Sequence, residues 1–215
     1  MDLILLGLPG SGKGTQAEYI SDHYAVTHIS TGDIFRSALK NETSLGLKAK
    51  KYMDSGDLVP DQLTNNIVKE RLQEDDVKEG FLLDGYPRTL VQSKALKENL
   101  KELNRKIDTV IYLDVPEKVL FERLTGRYIC SNCGATYHKV FNPTKIDGVC
   151  DNCGATEFYQ RDDDKKETVK KRIEVNRRQT EKLIEFYKKE DTLIEINGDQ
   201  KPEKVFDEIK KSLDV

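Results

Sequence analysis

The chain has 215 residues, of which 37% are hydrophobic and 34% charged, and its formal net charge is −3. That length suffices for one sizeable core with a small insertion, and the composition is too apolar for a disordered chain. Because the charge balance is slightly acidic, there is no global basic field, and we expect no nucleic-acid partner.

Apolar runs alternate with helical patterns along most of the chain. The predicted strands cover residues 3–6, 28–30, 81–84, 109–114 and 193–196. The predicted helices cover 15–24, several segments up to 71, 90–103, 117–124, an amphipathic stretch over 161–191, and 202–213. Since the strands are nearly all apolar and alternate with helices, the sequence predicts an α/β fold with a parallel sheet covered by helices.

The first apolar run, LILLGL at residues 3–8, has no basic residue before it. It is too short for a membrane span or for the apolar core of a signal peptide. We therefore expect a buried first strand, a cytoplasmic location and no membrane association.

The sequence GLPGSGKGT at residues 7–15 has the spacing of a phosphate-binding loop, a glycine followed after four residues by Gly12 and Lys13. In such a turn between a strand and a helix, backbone N–H groups surround phosphate and the lysine adds positive charge. The hydroxyl residue that normally follows the lysine and binds Mg²⁺ is replaced by Gly14, and Thr15 comes one position later. The loop thus predicts nucleotide binding with an altered Mg²⁺ site.

A second motif, LLDGYPR at residues 82–88, joins a predicted strand to a turn. An acid at the carboxyl end of a parallel strand lies where ligands bind in open α/β sheets, so Asp84 is placed to hold hydrated Mg²⁺. Arg88 can bind phosphate through paired hydrogen bonds. Taken alone, the stretch equally allows a helix-capping Asp and a surface Arg.

A third motif, HISTGDIFR at residues 28–36, could by itself be a helix cap. Together with the first two, however, it resembles the adenylate kinases, and the resemblance continues through LTGR (124–127), YQRDDD (159–164) and INGDQ (196–200). It implies reversible, Mg²⁺-dependent transfer of the terminal phosphoryl group of ATP to AMP, giving two ADP. A kinase for another nucleoside monophosphate is the alternative.

The resemblance also implies a domain organisation and the way in which Mg²⁺ is held. The expected fold is that of the P-loop nucleoside monophosphate kinases, with a core formed by residues 1–30, 61–127 and 161–215. A helical AMP-binding insertion is expected at 31–60, and a small zinc-ribbon lid at 128–160. In this family the residue after the loop lysine is also glycine, and Mg²⁺ is held by nucleotide oxygens and by waters that an acid like Asp84 orients.

The resemblance assigns three sets of residues. Those expected to bind ATP are Gly10, Ser11, Gly12, Lys13, Gly14, Thr15, Arg127, Thr136, Tyr137 and Gln200. Those expected to bind AMP are Thr31, Arg36, Asp57, Leu58, Val59, Gly85, Tyr86, Pro87, Arg88, Gln92, Arg161 and Arg172. Those expected to act on the transferring phosphoryl group are Lys13, Asp84, Arg88, Arg123, Arg127, Arg161 and Arg172.

Four of these residues carry a further expectation. Arg161 and Arg172 are eleven positions apart, close to three helical turns, so one helix face is expected to present both. The amide of Gln92 offers a donor and an acceptor to the edge of adenine. Tyr86 stands where many relatives have Phe, and we expect the extra hydroxyl to be tolerated.

All four cysteines fall between residues 130 and 153, as two Cys-x-x-Cys pairs separated by sixteen residues. This spacing predicts a structural zinc site in which Cys130, Cys133, Cys150 and Cys153 are the ligands. Four free thiols and a competing His138 ligand are the alternatives. A nucleic-acid-binding zinc ribbon is disfavoured, because residues 128–160 hold only two lysines and no arginine. We expect a monomer, since no spare apolar stripe requires a partner.

Overall fold

The computed structural model describes residues 1–214, which form a parallel α/β core and a smaller antiparallel sheet. The strands β1 to β8 are Asp2–Leu6, Thr27–Ser30, Phe81–Asp84, Thr109–Asp114, Arg127–Cys130, Thr136–His138, Phe158–Tyr159 and Leu193–Asn197. The helices α1 to α8 are Lys13–Tyr24, Thr31–Lys40, Ser44–Asp54, Asp61–Arg71, Leu90–Glu102, Glu117–Thr125, Lys166–Lys189 and Pro202–Leu213.

The core sheet has the strand order β2-β3-β1-β4-β8, and all of its pairs are parallel. Every residue of β1 is buried, and successive side chains enter opposite hydrophobic clusters, Ile4 and Leu6 on one face and Leu3 and Leu5 on the other. Helices cover both faces. This burial on two sides explains why the inner strands β1 and β3 read as continuous apolar runs. The parallel sheet covered by helices confirms the predicted fold class.

Two regions interrupt the alternation of strands and helices. Helices α2 and α3 lie in residues 31–60, which contain no strand. The second sheet, with the order β6-β5-β7 and antiparallel pairs, lies within residues 127–159. We refer below to residues 31–60 as the insertion and to residues 128–160 as the lid.

The helix predicted over 161–191 is shorter than expected. It begins at Lys166, after a 3₁₀ turn at Asp162–Asp164, and Arg161 before that turn has an extended backbone with φ −64° and ψ 146°. The expectation that Arg161 and Arg172 share one helix face is therefore wrong. Aspartates favour turns and caps over helix interiors, because their side chains compete for backbone hydrogen bonds.

Among residues 1–214, no helix combines the length and the apolar character needed to cross a bilayer.

Candidate active site and metal centre

The glycine-rich loop connects β1 to α1 at the point where the sheet order diverges, with β3 on one side of β1 and β4 on the other. Ligands of open α/β sheets bind at this switch point. Gly10 and Gly12 have φ values of 85° and 96°, a region in which a side chain would be strained. No side chain caps α1, so the N–H groups of its first turn face the loop without an intrahelical acceptor. They form a site for an anion.

Lys13 is the first residue of α1, and its side chain folds back over the loop. Its Nζ donates to the carbonyl oxygens of Gly7 at 2.8 Å and Leu8 at 3.1 Å. Burial lowers the pKa of Lys13 to about 8, a shift that Asp84 opposes and nearby arginines reinforce. A phosphate group placed here would favour the charged lysine.

Asp84 is the last residue of β3 and lies opposite Leu5 of β1 and Ser30 of β2. Burial acts to raise its pKa, but His28 and Lys13 outweigh that effect and hold the pKa below its usual range. The His28 Nε2 lies 3.6 Å from the carboxylate. An ionised carboxylate at the mouth of the sheet is chemically suited to accept hydrogen bonds from the waters of Mg²⁺.

Several half-buried cations lie near the loop. Burial lowers the pKa of Arg88 to about 10 and that of Arg161 to about 9, and in each case neighbouring arginines lower it further. Burial likewise lowers the pKa of Arg172. The Arg161 Nε is buried and has no hydrogen-bond partner within residues 1–214. Cations that lie close enough to repel one another make this a strong site for polyphosphate.

Two acids hold part of this cluster in place. Asp164 is fully buried and accepts two hydrogen bonds from Arg127, at 2.7 Å and 2.6 Å, and one from Arg172 at 3.0 Å. Asp163 lies 2.8 Å from the same Arg172 nitrogen. Sequence reasoning did not assign a role to either acid, although the run of three aspartates in YQRDDD was a visible signal.

A cleft beside Arg88 is lined by most of the residues expected to bind AMP. These are Thr31, Arg36, Asp57, Leu58, Val59, Gly85, Arg88, Gln92 and Arg172. The lining also includes residues that sequence reasoning missed, namely Gly32, Phe35, Met53, Gly56, Thr64, Asp163 and Asn176. The cleft therefore lies between the insertion, the end of β3 and α7.

Three residues expected at AMP do not line this cleft: Tyr86, Pro87 and Arg161. Tyr86 is fully buried, and its hydroxyl lies 2.8 Å from Asn65 Oδ1 and 3.1 Å from the Gln92 carbonyl oxygen. Its ring thus belongs to the core. The extra hydroxyl has partners, which explains physically how it is accommodated.

The Gln92 amide is already engaged on both sides. Its oxygen accepts the Arg88 N–H at 2.6 Å, and its nitrogen donates to Asp61 at 2.8 Å. A primary amide carries two N–H groups and two lone pairs, so one of each remains for a base. The internal bonds fix the amide's orientation.

The residues expected on the ATP side lie in different environments, some exposed and some buried. Arg123 donates to the Gly198 carbonyl at 3.1 Å and lies 3.5 Å from Asp199, next to Gln200. Thr136 is exposed, whereas Tyr137 is buried and its hydroxyl lies 3.3 Å from the Cys150 Sγ. The Tyr137 side chain therefore contacts the cysteine cluster of the lid.

The four cysteine sulfurs lie within 4.8 Å of one another. The Sγ–Sγ distances are 3.6 Å for Cys130 and Cys153, and 3.5 Å for Cys133 and Cys150. Four thiolates around one tetrahedral Zn²⁺, each about 2.3 Å from the metal, would be about 3.8 Å apart. The residues present thus fit zinc.

The backbone around the cysteines also suits a metal knuckle. Each Cys-x-x-Cys pair closes with a backbone hydrogen bond, from Gly134 N–H to Cys130 O at 3.0 Å and from Gly154 N–H to Cys150 O at 2.8 Å. His138 lies outside the cluster, and both of its ring nitrogens contact backbone groups. It does not compete as a ligand in this arrangement.

A phosphate loop at the switch point of a parallel sheet, surrounded by buried cations and an ionised acid, defines an α/β nucleotide-binding phosphotransferase. The family model described as adenylate kinase matches residues 5–192. The chain therefore belongs to the adenylate kinase family, whose members transfer a phosphoryl group from ATP to AMP and produce ADP.

Curated relatives named adenylate kinase are similar over the whole length. The protein from Enterococcus faecalis is 60% identical over 214 residues, which cover 100% of this chain and 99% of that protein. The protein from Limosilactobacillus reuteri is 59% identical over 213 residues, 99% of this chain and 98% of the relative. A Geobacillus protein is 60% identical over 213 residues, with the same coverage.

Proposed function

We propose that the loop and the buried cations bind the triphosphate of ATP and stabilise the charge that develops as its terminal phosphoryl group moves to AMP. The observation that carries this proposal is the convergence of Lys13, Arg88 and Arg172, whose pKa values are all lowered by burial and, in part, by one another. Phosphoryl transfer needs positioned donor and acceptor and stabilised negative charge, with little covalent participation by the protein.

The ATP phosphates would lie along Gly10 to Thr15, with the N–H groups of the first turn of α1 as donors. Lys13 would leave the carbonyl oxygens of Gly7 and Leu8 and bind phosphate oxygens instead. Arg127 is held by Asp164 next to this site and would meet the same phosphates. Thr136 would contact the base and ribose, as would the backbone of Tyr137, whose hydroxyl faces Cys150. Gln200 would meet the adenine through its backbone, and Arg123 would act on the transferring phosphoryl group.

The AMP would occupy the cleft between the insertion and α7, with its phosphate toward Arg88, Arg36 and Arg172. Gln92 would direct its remaining N–H and lone pair to the adenine edge, and its bonds to Asp61 and Arg88 support that role by fixing the amide. Arg161 lies outside the cleft lining and has a free, buried Nε among the described residues. We propose that it binds the phosphoryl group as it transfers.

Mg²⁺ would enter with ATP as part of the substrate. Asp84 would orient its waters, since the carboxylate is ionised and Gly14 offers no hydroxyl ligand. The ion supplies positive charge to the phosphate oxygens. His28, 3.6 Å from Asp84, keeps that carboxylate in its charged form.

The core, insertion and lid are proposed as three functional parts with the boundaries predicted above. The insertion is linked to α7 by an ion pair between Asp57 and Lys171 at 2.7 Å, which supports closure of this part over bound AMP. Closure of both covering parts would exclude water, which would otherwise accept the phosphoryl group. Zinc is proposed to hold the lid together and to take no part in the chemistry, because four thiolates leave no coordination place for substrate.

We also propose that the protein works as a monomer in the cytoplasm. A four-thiolate metal centre requires cysteines that stay reduced, which supports the cytoplasmic location. Size-exclusion chromatography with light scattering tests whether the protein is a monomer.

The test of base choice measures ADP formation from ATP with AMP, GMP, UMP and CMP in turn. AMP should be favoured by at least about tenfold, because a wrong base leaves roughly one hydrogen bond of the fixed amide unmatched. The variant Gln92→Ala should narrow that preference, whereas Gln62→Ala, an exposed amide on α4, should leave it unchanged. Equal rates with UMP or CMP would instead indicate a kinase for another nucleoside monophosphate.

A further inference from the structure

His138 in β6 of the lid makes three contacts that neither phosphoryl transfer nor the zinc centre uses. Its Nε2 lies 3.1 Å from the carbonyl oxygen of Glu122, in the last turn of α6. Its Nδ1 accepts the backbone N–H groups of Val140 and Phe141, each at 3.0 Å. One ring thus joins the turn after β6 to the end of a core helix.

The network assigns the tautomer of this histidine. Because Nδ1 accepts two N–H groups, it carries no proton, and the proton of the neutral ring is on Nε2. Nε2–H then donates to the Glu122 carbonyl, which also accepts the Gly126 N–H at 3.1 Å, so the ring adds a bond at the helix end. Both ring nitrogens are therefore used, and in opposite senses.

Gly126 shows that the fold accommodates this ring closely. A Cβ built on Gly126 would collide with Nε2 and Cε1 of His138, so a side chain at this position would push the imidazole away from α6. The next lid residue, Lys139, also donates its N–H to the Gly126 carbonyl at 3.2 Å. Two hydrogen bonds and one steric contact thus tie β6 to the end of α6.

This junction lies between two arginines of the proposed ATP side. Arg127 pairs with His138 across β5 and β6, and Arg123 is one turn earlier on α6. The Phe141 ring lies 4.6 Å from the imidazole and 5.9 Å from the Arg123 guanidinium. The position of the imidazole therefore sets how the turn of the lid meets Arg123.

We propose that His138 is a positioning residue for the ATP side of the site, which it controls by bonding the lid turn to the end of α6. This inference rests on the proposed function, since it assumes that ATP binds between the loop and the lid. His138 itself touches no reacting atom. Its loss should weaken productive ATP binding and leave the AMP cleft, which lies on the insertion side of the core, unaffected.

Two amide variants separate the two halves of the network. In His138→Asn the short amide keeps an acceptor near Nδ1 and can hold the Val140 and Phe141 N–H groups, as Asn does in turns, but it cannot reach Glu122. In His138→Gln the longer amide places a donor near Nε2 and loses the acceptor at Nδ1. His138→Ala removes both, and Lys145→Ala, an exposed lid residue, is the control.

The experiment measures the KM for ATP at saturating AMP and the KM for AMP at saturating ATP, together with the zinc content of each variant. In His138→Ala the KM for ATP should rise about three- to tenfold, the effect of losing about one hydrogen bond, with the KM for AMP within about twofold of wild type. The KM for ATP of both amide variants should lie between the values of wild type and His138→Ala, and every variant should retain zinc.

An unchanged KM for ATP in a zinc-loaded His138→Ala protein would overturn the inference. A parallel rise of the KM values for ATP and AMP would also overturn it, since it would indicate general destabilisation. The inference would fail as well if both amide variants raised the KM for ATP as much as His138→Ala does. Failure of the wild-type protein to form ADP from ATP and AMP would count against the proposed function itself, so the two failures are distinguishable.

Discussion

Asp164, a carboxylate with no exposed surface, holds Arg127 through two parallel hydrogen bonds of 2.7 Å and 2.6 Å. The two residues come from different parts of the chain, Arg127 from the start of β5 and Asp164 from the turn before α7. The pair therefore joins the entrance of the lid to its exit. It leaves other donors of the guanidinium free for a further acceptor.

Asp164→Asn should destabilise the free protein by about 3 kcal/mol, because breaking a buried ion pair leaves Arg127 without its charge partner. Urea unfolding followed by circular dichroism measures the change. The matched control is Asp162→Asn in the same turn, whose solvent-exposed pair with Lys165 should contribute little to the free energy of unfolding. Equal unfolding midpoints for the two variants would contradict the structural role of Asp164.

Lys13→Met should lower the rate of ADP formation by about 10³-fold, since one cation that stabilises the transition state is lost. In the free wild-type enzyme, kcat/KM for ATP should fall as pH rises through about 8, where the buried lysine loses its proton. A folded Lys13→Met protein with near-normal turnover would refute this assignment.

The same lysine should make the free protein more stable as pH rises, opposite to its effect on kcat/KM. Between pH 8 and the ordinary lysine pKa of 10.5, the unfolded chain holds a proton that the folded chain has released. The free energy of unfolding contributed by this group therefore rises with pH in that window. Comparison of denaturation curves of wild type and Lys13→Met at pH 7.5 and 10 measures the difference.

Asp84→Asn should weaken the dependence of turnover on Mg²⁺ and reduce the maximal rate, because the neutral amide orients metal-bound water poorly. ATP binding without Mg²⁺ should change far less. Titration of Mg²⁺ against initial rate decides this point. Asp114→Asn is the matched control, since Asp114 also ends a parallel strand but lies exposed at β4. Superimposable curves for wild type and Asp84→Asn would reduce Asp84 to a capping residue.

Replacement of Cys130 and Cys133 by serine should abolish binding of about one zinc per chain and lower the melting temperature by several degrees. The lid is short and has only a small hydrophobic cluster, so metal binding should supply much of its folding energy. Activity well below the melting temperature should survive in substantial part, because Lys13, Asp84 and Arg88 lie on the core. Metal analysis finding no zinc in protein purified without chelators would rule the centre out.

The sequence by itself determined the features that depend on contiguous residues. The strand pattern predicted all five strands of the core sheet. In the inner strands β1 and β3 the reason is burial on both faces, which leaves room for little but apolar residues. The loop around Lys13, the acid ending β3 and the paired Cys-x-x-Cys motifs were likewise readable, since each places its groups through local backbone geometry.

The tertiary structure decided which side chains pair across long separations. The choice of Asp164 as partner of both Arg127 and Arg172, the bonds that orient Gln92, and the junction of His138 with α6 all join residues distant in sequence. The helical spacing of Arg161 and Arg172 gave a wrong prediction for a local reason, because Asp162–Asp164 form a 3₁₀ turn before the helix begins at Lys166. A buried carboxylate is most stable where it satisfies several cations at once, and only the folded chain shows that Asp164 stands in a turn between two arginines.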